Sequence, residues 1–201
     1  MKVHFVGIAG GSGSGKSTLC FNLLDKYPKK ISILHFDDYQ KKRVEVPQVN
    51  GMANWDHPDA IRWEKLIEDL GDLRDGKPIT VATMNERDNP QYGSARERIE
   101  IEVAPKPIVL VEGYLALYHP EVRAFFDLMI YLDASHDERM ARRTKSLNPD
   151  YVAQILTPMH KEYVEPTKHH AHVIDVSGKT AAQVLEEAET LIIKPHGDHG
   201  A

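Results

Sequence analysis

The sequence predicts an α/β fold: a doubly wound parallel sheet of about five strands, covered by helices on both faces. Three observations carry this. Short apolar runs recur along the chain, bounded by turn residues, and segments with apolar spacings of three and four separate them. A glycine- and serine-rich loop, Gly10 to Gly15, joins the first run to the first helical segment. Val3 to Ala9 is short, β-rich and apolar, a buried strand. The helix opening at Lys16 carries Leu19, Cys20, Leu23 and Leu24 on its apolar spacing and stops near Pro28. Ile31 to Phe36 is a second buried strand, whereas residues 37–57 are polar and aperiodic and read as one long functional loop. Pro58 starts a helix at its first position, and Trp63, Leu66, Ile67, Leu70 and Leu73 continue it to Gly76. Ile79 to Ala82 and Ile99 to Val103 form a small separate β element around the charged segment NERDNPQYGSARER. Pro107 to Val111 is a strongly apolar strand ending in Glu112-Gly113, and Leu128 to Leu132 is another. Residues 135–146 and 149–163 read as helices, the second kinked or broken at Pro158. A last strand, His172 to Val176, and a last helix, Thr180 to Ile193, complete one domain over residues 1–194, followed by a flexible tail, 195–201.

The 201 residues are 41% hydrophobic and 27% charged, ordinary for a globular chain. Such a length buries about 70% of the surface that the unfolded chain exposes, so neither disulfides nor metal are needed to fold it. The single cysteine, Cys20, forms no internal disulfide and fits a reducing compartment. A net charge of −5 without a basic run argues against nucleic acid as a partner. No apolar stretch approaches the ~20 residues that span a bilayer, and Val3 to Ala9 is too short for a signal-peptide core. The expectation is a soluble cytoplasmic protein with no membrane partner.

The most specific signal is Gly10-Gly11-Ser12-Gly13-Ser14-Gly15-Lys16-Ser17-Thr18, which satisfies G-x-x-x-x-G-K-[ST]. Glycines let successive N–H groups turn toward phosphate oxygens, and the helix N-terminus behind them favours negative charge. Lys16 would reach the terminal phosphates, and the Ser17 hydroxyl would ligate Mg²⁺. A flexible Gly/Ser linker is the bland alternative, but the motif follows an apolar strand and opens an amphipathic helix, as a phosphate-loop (P-loop) NTPase requires. GTPases, ATPases and small-molecule kinases share this loop. A kinase also needs a base near the acceptor hydroxyl and a carboxylate near the metal, both at carboxyl ends of strands. Asp37 and Asp38 follow the second strand and Glu112 follows the strand Ile108 to Val111. Neighbouring side chains in an extended segment point oppositely, so only one of the two aspartates faces the site, and Asp37 is the choice. Asp56, in Asn54-Trp55-Asp56-His57-Pro58, reads equally as a helix cap or as a holder of vicinal hydroxyls.

The stretches GGSGSGKST, DDY, NWDHPDA, IVLVEGYL, DERMARR and EPTKHHAHVI occur in the order seen in uridine kinase-like proteins, and the chain resembles that family from residue 5 to about 176. The family belongs to the phosphate-loop kinases, beside nicotinamide riboside kinase, phosphoribulokinase and bacterial pantothenate kinase. The resemblance implies a fold of the nucleoside and nucleotide kinase type with a short lid, and ATP and Mg²⁺ as cofactors. It implies Asp37 as catalytic base, Asp56 on the ribose hydroxyls, Glu112 near Mg²⁺, and Arg139, Arg142 and Arg143 as lid arginines approaching the ATP phosphates. Arg139 and Arg143 are the pair expected at the phosphates. Uridine kinases recognise the pyrimidine with a Tyr-Asp-Phe and a His-x-Arg segment; here the corresponding region is NERDNPQYGSARER, where Arg96 matches the arginine and Tyr92 offers an aromatic surface. The implied activity is transfer of the γ-phosphate of ATP to a nucleoside, to the 5′-hydroxyl of uridine or cytidine. Nicotinamide riboside, pantothenate or a sugar phosphate are alternative acceptors, and an ATP-binding regulator without kinase activity is the alternative class. Relatives are often homo-oligomers. His169, His170 and His172 lack the further ligands of a zinc set and read as a solvated cluster.

Overall fold

The computed structural model describes residues 2–142 and 147–194. The tail and Arg143, named above, lie outside the described residues. In chain order the first elements are β1 (His4–Ala9), α1 (Lys16–Lys26), β2 (Ile31–His35), β3 (Gln48–Val49), β4 (Met52–Ala53), α2 (Trp63–Arg74), β5 (Ile79–Thr83), α3 (Tyr92–Ala95) and β6 (Ile99–Val103). They are followed by β7 (Ile108–Glu112), α4 (Pro120–Arg123), β8 (Leu128–Asp133), α5 (His136–Ala141), α6 (Pro149–Tyr151), α7 (Thr157–Met159), β9 (His172–Asp175) and α8 (Ala181–Ile192).

Five strands form the central sheet in the order β2-β7-β1-β8-β9, every pair parallel. β7 is buried along its whole length, which its run of Ile, Val and Leu allows because both sheet faces are covered. On one face α1 and α8 bury Leu19, Leu23, Val184, Ala188 and Ile192 against Val6, Ile8, Leu110 and Ile130. On the other, α2 and α4 bury Leu66, Leu70, Leu73 and Val122 against Phe5, Val109 and Val111. α8 starts where expected because Thr180 and Gln183 make a reciprocal capping box. β5 and β6 form the separate antiparallel hairpin.

Three segments differ from the sequence expectation. The loop after β2 is not structureless: residues Phe36–Tyr39 form a 3-10 turn, and β3 and β4 pair as a miniature hairpin. Asn50 and Gly51 supply the two positive φ angles, 49° and 77°, that a tight two-residue turn requires. The helix expected from Pro58 is a 3-10 turn, Pro58–Ala60, followed by α2 from Trp63. Pro158 does not break its helix. Around it α6 and α7 alternate with wide π turns at Val152–Leu156 and His160–Val164, ending in a 3-10 segment, Glu165–His170. Proline has no N–H for the carbonyl one α-turn back, and the wider turns change the bonding pattern on both sides of it.

Candidate active site

The loop between β1 and α1 is fixed by its backbone. Gly10, Gly13 and Gly15 have φ of 145°, 86° and 95°, a region L side chains rarely adopt. A Cβ on Gly13 would stand 2.2 Å from the Arg139 carbonyl oxygen, so no side chain fits there. The Lys16 ammonium donates to the Gly10 and Gly11 carbonyls at 3.0 and 3.2 Å. Burial lowers its pKa, opposed by the charges of Glu112 and Asp37. Residues Ser12 to Leu19 line a cleft of about 480 Å³ with Asn22, Asp37, Glu112, Tyr114, Arg142 and Lys179.

Glu112 ends β7, and the register of the parallel sheet sets it beside His35 at the end of β2. Its carboxylate accepts from the Ser17 hydroxyl at 3.2–3.3 Å and lies 2.9 Å from His35 Nδ1. Burial works against the Glu112 charge, but the His35 hydrogen bond and the nearby Lys16 hold its pKa below the usual carboxylate value. Burial alone would depress His35; its bonds to Asp88 and Glu112 overcome this and raise it to about 9. A hydroxyl and an ionised carboxylate in one spot are hard oxygen donors of the kind Mg²⁺ takes together with phosphate oxygens. These residues therefore fit that ion.

Asp37 lies in the 3-10 turn directly after β2. It is open to the cleft yet enclosed by protein on its other sides, and burial, then the Glu112 charge, push its carboxyl up to about 7 against the pull of Lys16. The two aspartates lie in a 3-10 turn and not in the extended segment that the alternation argument assumed; Asp38 is buried and accepts the Met84 N–H at 2.8 Å, fastening the β5–β6 hairpin. The turn is braced further. Tyr39 donates to the buried Asp69 at 2.8 Å, and Arg62 and Arg98 donate to the Asp38 carbonyl at 3.1 and 2.8 Å. Phe36 packs edge-on against Tyr114 at 5.7 Å, a contact of about 0.5–1.5 kcal/mol beyond its area.

A second cavity, of about 500 Å³, opens on the other side of Asp37. Asp56, Trp55, Tyr114, Arg43, Tyr151 and Leu156 are among its walls. Asp56 accepts from the Tyr151 hydroxyl at 2.6 Å. Tyr114 donates to the Trp55 carbonyl. Tyr151 and Tyr114 escaped the sequence reading; for Tyr151 the only local cue was Asn148-Pro149, which starts its helix with an Asn cap.

The arginines divide differently from expectation. Arg142 lines the nucleotide-side cleft. Arg139 instead lies behind the loop, 3% exposed, its guanidinium 3.5 Å from the Ser12 carbonyl and its side chain lining a separate cavity with His160 and Lys168. The close fit of Gly11 and Gly13 against it explains the position: a Cβ on Gly11 would stand 2.4 Å from its Nη1. Tyr92 and Arg96 are not brought to the second cavity. They sit on α3 and at its end, with the Arg96 guanidinium 5.8 Å over the Tyr92 ring and Arg96 exposed. The cause is the docking of their loop against α1, where Arg87 pairs with Asp25 and covers Phe21 at 4.8 Å. No group of three or more His, Cys, Asp and Glu that could hold a metal ion occurs among the described residues, and no helix among them is long and apolar enough to cross a membrane.

A glycine loop after a central parallel strand, a lysine and serine facing a strand-end carboxylate, and an aspartate shared by adjoining cavities define a phosphate-loop kinase. Sequence comparison agrees. Residues 5–182 match the phosphoribulokinase/uridine kinase family. A uridine kinase of Staphylococcus epidermidis is 34% identical over 200 residues, covering 93% of this chain and 94% of that one. A uridine kinase of Clostridium botulinum is 36% identical over 188 residues, covering 86% and 87%. Among solved structures, a possible uridine kinase from Bacillus stearothermophilus superposes with a TM-score of 0.63 at 19% identity over 87% of this chain and 89% of that one, a likeness of fold. The chain belongs to the phosphoribulokinase/uridine kinase family and is an ATP-dependent phosphotransferase acting on an alcohol group.

Proposed function

We propose that this kinase transfers the γ-phosphoryl group of MgATP to the 5′-hydroxyl of a pyrimidine nucleoside, uridine or cytidine, in the cytoplasm. One observation carries the reading: Asp37 borders both the phosphate-loop cleft and the cavity that contains Asp56. A hydroxyl held at Asp37 therefore has the nucleotide on one side and the rest of its own molecule on the other. Asp56 accepts hydrogen bonds from the ribose hydroxyls, and the aromatic walls Trp55 and Tyr114 suit a flat base. Ser17 and Glu112 would hold Mg²⁺, which when bound would supply charge compensation at the phosphates. Asp37 takes the proton of the 5′-hydroxyl as its oxygen bonds to the γ-phosphorus and the bond to the bridging oxygen of ADP breaks. Lys16 and Arg142 stabilise the charge on the phosphoryl oxygens. Arg139 braces the loop from behind.

The test is ADP release with MgATP against uridine, cytidine, nicotinamide riboside, pantothenate and ribulose 5-phosphate. Uridine or cytidine should stimulate it most. Asp37→Asn should lower that turnover about 10²–10⁴-fold while leaving ATP affinity nearly unchanged. Stimulation by a different acceptor would reassign the substrate, and wild-type turnover in Asp37→Asn would remove the base.

A further inference from the structure

His35 is not required by any chemistry described so far, yet it is a well-connected polar side chain at the sheet's carboxyl edge. It is 5% exposed, and Phe21 packs edge-on against its ring at 5.7 Å. Its Nδ1 lies 2.9 Å from Glu112 Oε1, and Glu112 in turn faces the Ser17 hydroxyl. Its Nε2 lies 3.5 Å from Asp88 Oδ2, and Asn85 Nδ2 is 3.4 Å from the ring. Asn85 and Asp88 belong to the turn after β5. That turn is anchored at its start by Met84 on Asp38 and at its side by Arg87 on Asp25. One imidazole thus touches two parts of the molecule: the carboxylate beside the phosphate loop and the turn leading into the segment 85–98.

A glutamate has three side-chain torsions, and leaving them free costs a metal site both affinity and geometry. Ser17 alone cannot fix the carboxylate, since its hydroxyl bonds either oxygen about equally, at 3.3 and 3.2 Å. His35 approaches only Oε1, from a rigid strand end, and so selects one orientation. We infer that His35 is a positioning residue: it holds Glu112 toward Ser17 in the orientation that receives Mg²⁺, and the 84–89 turn holds His35. The inference rests on the metal assignment proposed above but not on the identity of the acceptor. It makes the turn on the hairpin a support of the nucleotide's metal that acts through His35.

The experiment is calorimetric binding of a non-hydrolysable ATP analogue, in EDTA and in excess Mg²⁺, with no acceptor present. Wild-type protein should bind more tightly with Mg²⁺. In His35→Ala that Mg²⁺-dependent gain should fall about tenfold, with affinity in EDTA unchanged. His35→Asn places an amide N–H where Nδ1 stood and should recover most of the gain. Asp88→Ala keeps the Glu112 contact, loses the outer anchor, and should lose less than His35→Ala does. A His35→Ala protein with the full gain overturns the inference. So does one whose affinity in EDTA falls in parallel, because that marks a packing role. If His35→Ala does not fold, His35→Asn with a wild-type gain and Asp88→Ala with a reduced one still carry it, and any other pair of results overturns it. Wild-type protein that ignores Mg²⁺ overturns the metal assignment itself. Failure with uridine in the ADP-release test leaves this result untouched.

Discussion

Lys16 and Asp56 mark two halves of one cleft that are held by different kinds of structure. Around Lys16 most groups stand at strand ends, in the loop after β1, at Asp37 after β2 and at Glu112 closing β7, with Arg142, at the end of α5, the exception. Parallel register then fixes which side chains meet, as with His35 and Glu112. Around Asp56 the walls are a miniature hairpin, a loop and an irregular helix, and the key contact joins residues 95 positions apart, neither of them on a strand. The nucleotide half is a consequence of sheet geometry, and the other half is a consequence of side chains finding one another across loops. The first should be stiff and intolerant of change, and the second adjustable in what it binds.

Substitutions can break this contrast or sharpen it. The largest effect is expected from Lys16→Ala, which removes a charge aimed at the phosphates and should cost about 10²–10³-fold in turnover with every acceptor alike. Loss confined to one acceptor would erase the division between halves. Asp56→Ala should act oppositely. Losing hydrogen bonds to a charged group should raise the acceptor KM at least about tenfold, with the KM for ATP unchanged in the same steady-state assays. A smaller effect is expected from pH. Asp37 acts as base only when ionised, and its carboxyl lies at about 7. Hence kcat/KM for ATP, which reports the free enzyme, should decline as pH falls through about 7, not near 4. A profile flat down to pH 5 would deny Asp37 that role. His35 has the opposite sign. Its pKa is raised from 6.5 to about 9, so its contribution to stability is complete below 6.5 and is lost as pH rises through 9. Melting temperatures across that window should fall in wild type more than in His35→Asn. The smallest effect is expected from replacing Tyr92 and Arg96 together by alanine. Neither lines the cavity around Asp56, so kcat/KM for the acceptor should stay within about twofold, as for surface changes generally. A larger loss would return both to the acceptor site.

What could be read from the sequence follows the same division. The loop glycines, Lys16, Ser17, Asp37 and Glu112 were legible because each occupies a fixed place relative to an apolar strand, and strand ends in a doubly wound sheet converge. Tyr151 was not, because nothing local announces a partner 95 residues away. Arg139 and Arg142 were both identified as lid arginines, but helical spacing alone could not tell which lines the phosphate-loop cleft; that depends on how tightly α5 packs on Gly11 and Gly13. The turn at Asn50-Gly51 was legible in principle, since that dipeptide marks a tight hairpin, but its two-residue strands are too short to show alternation. The π turns around Pro158 have no signature in apolar spacing.

The irregular helix has one further consequence. It grips the segment from Asn50 to His57 at four points: Gln154 with Asn50, Tyr151 with Asp56, Met159 with Asn54, and Tyr163 with His57. The two segments form a matched pair, like the halves of a zip fastener. Exchanging either one alone with a relative leaves mismatched teeth, whereas moving residues 48–57 and 147–164 together carries all four contacts along, although Asp37, Arg43 and Tyr114 in the cavity wall stay behind. The two stretches are therefore coupled, and a change in either one acts on the other through these four contacts.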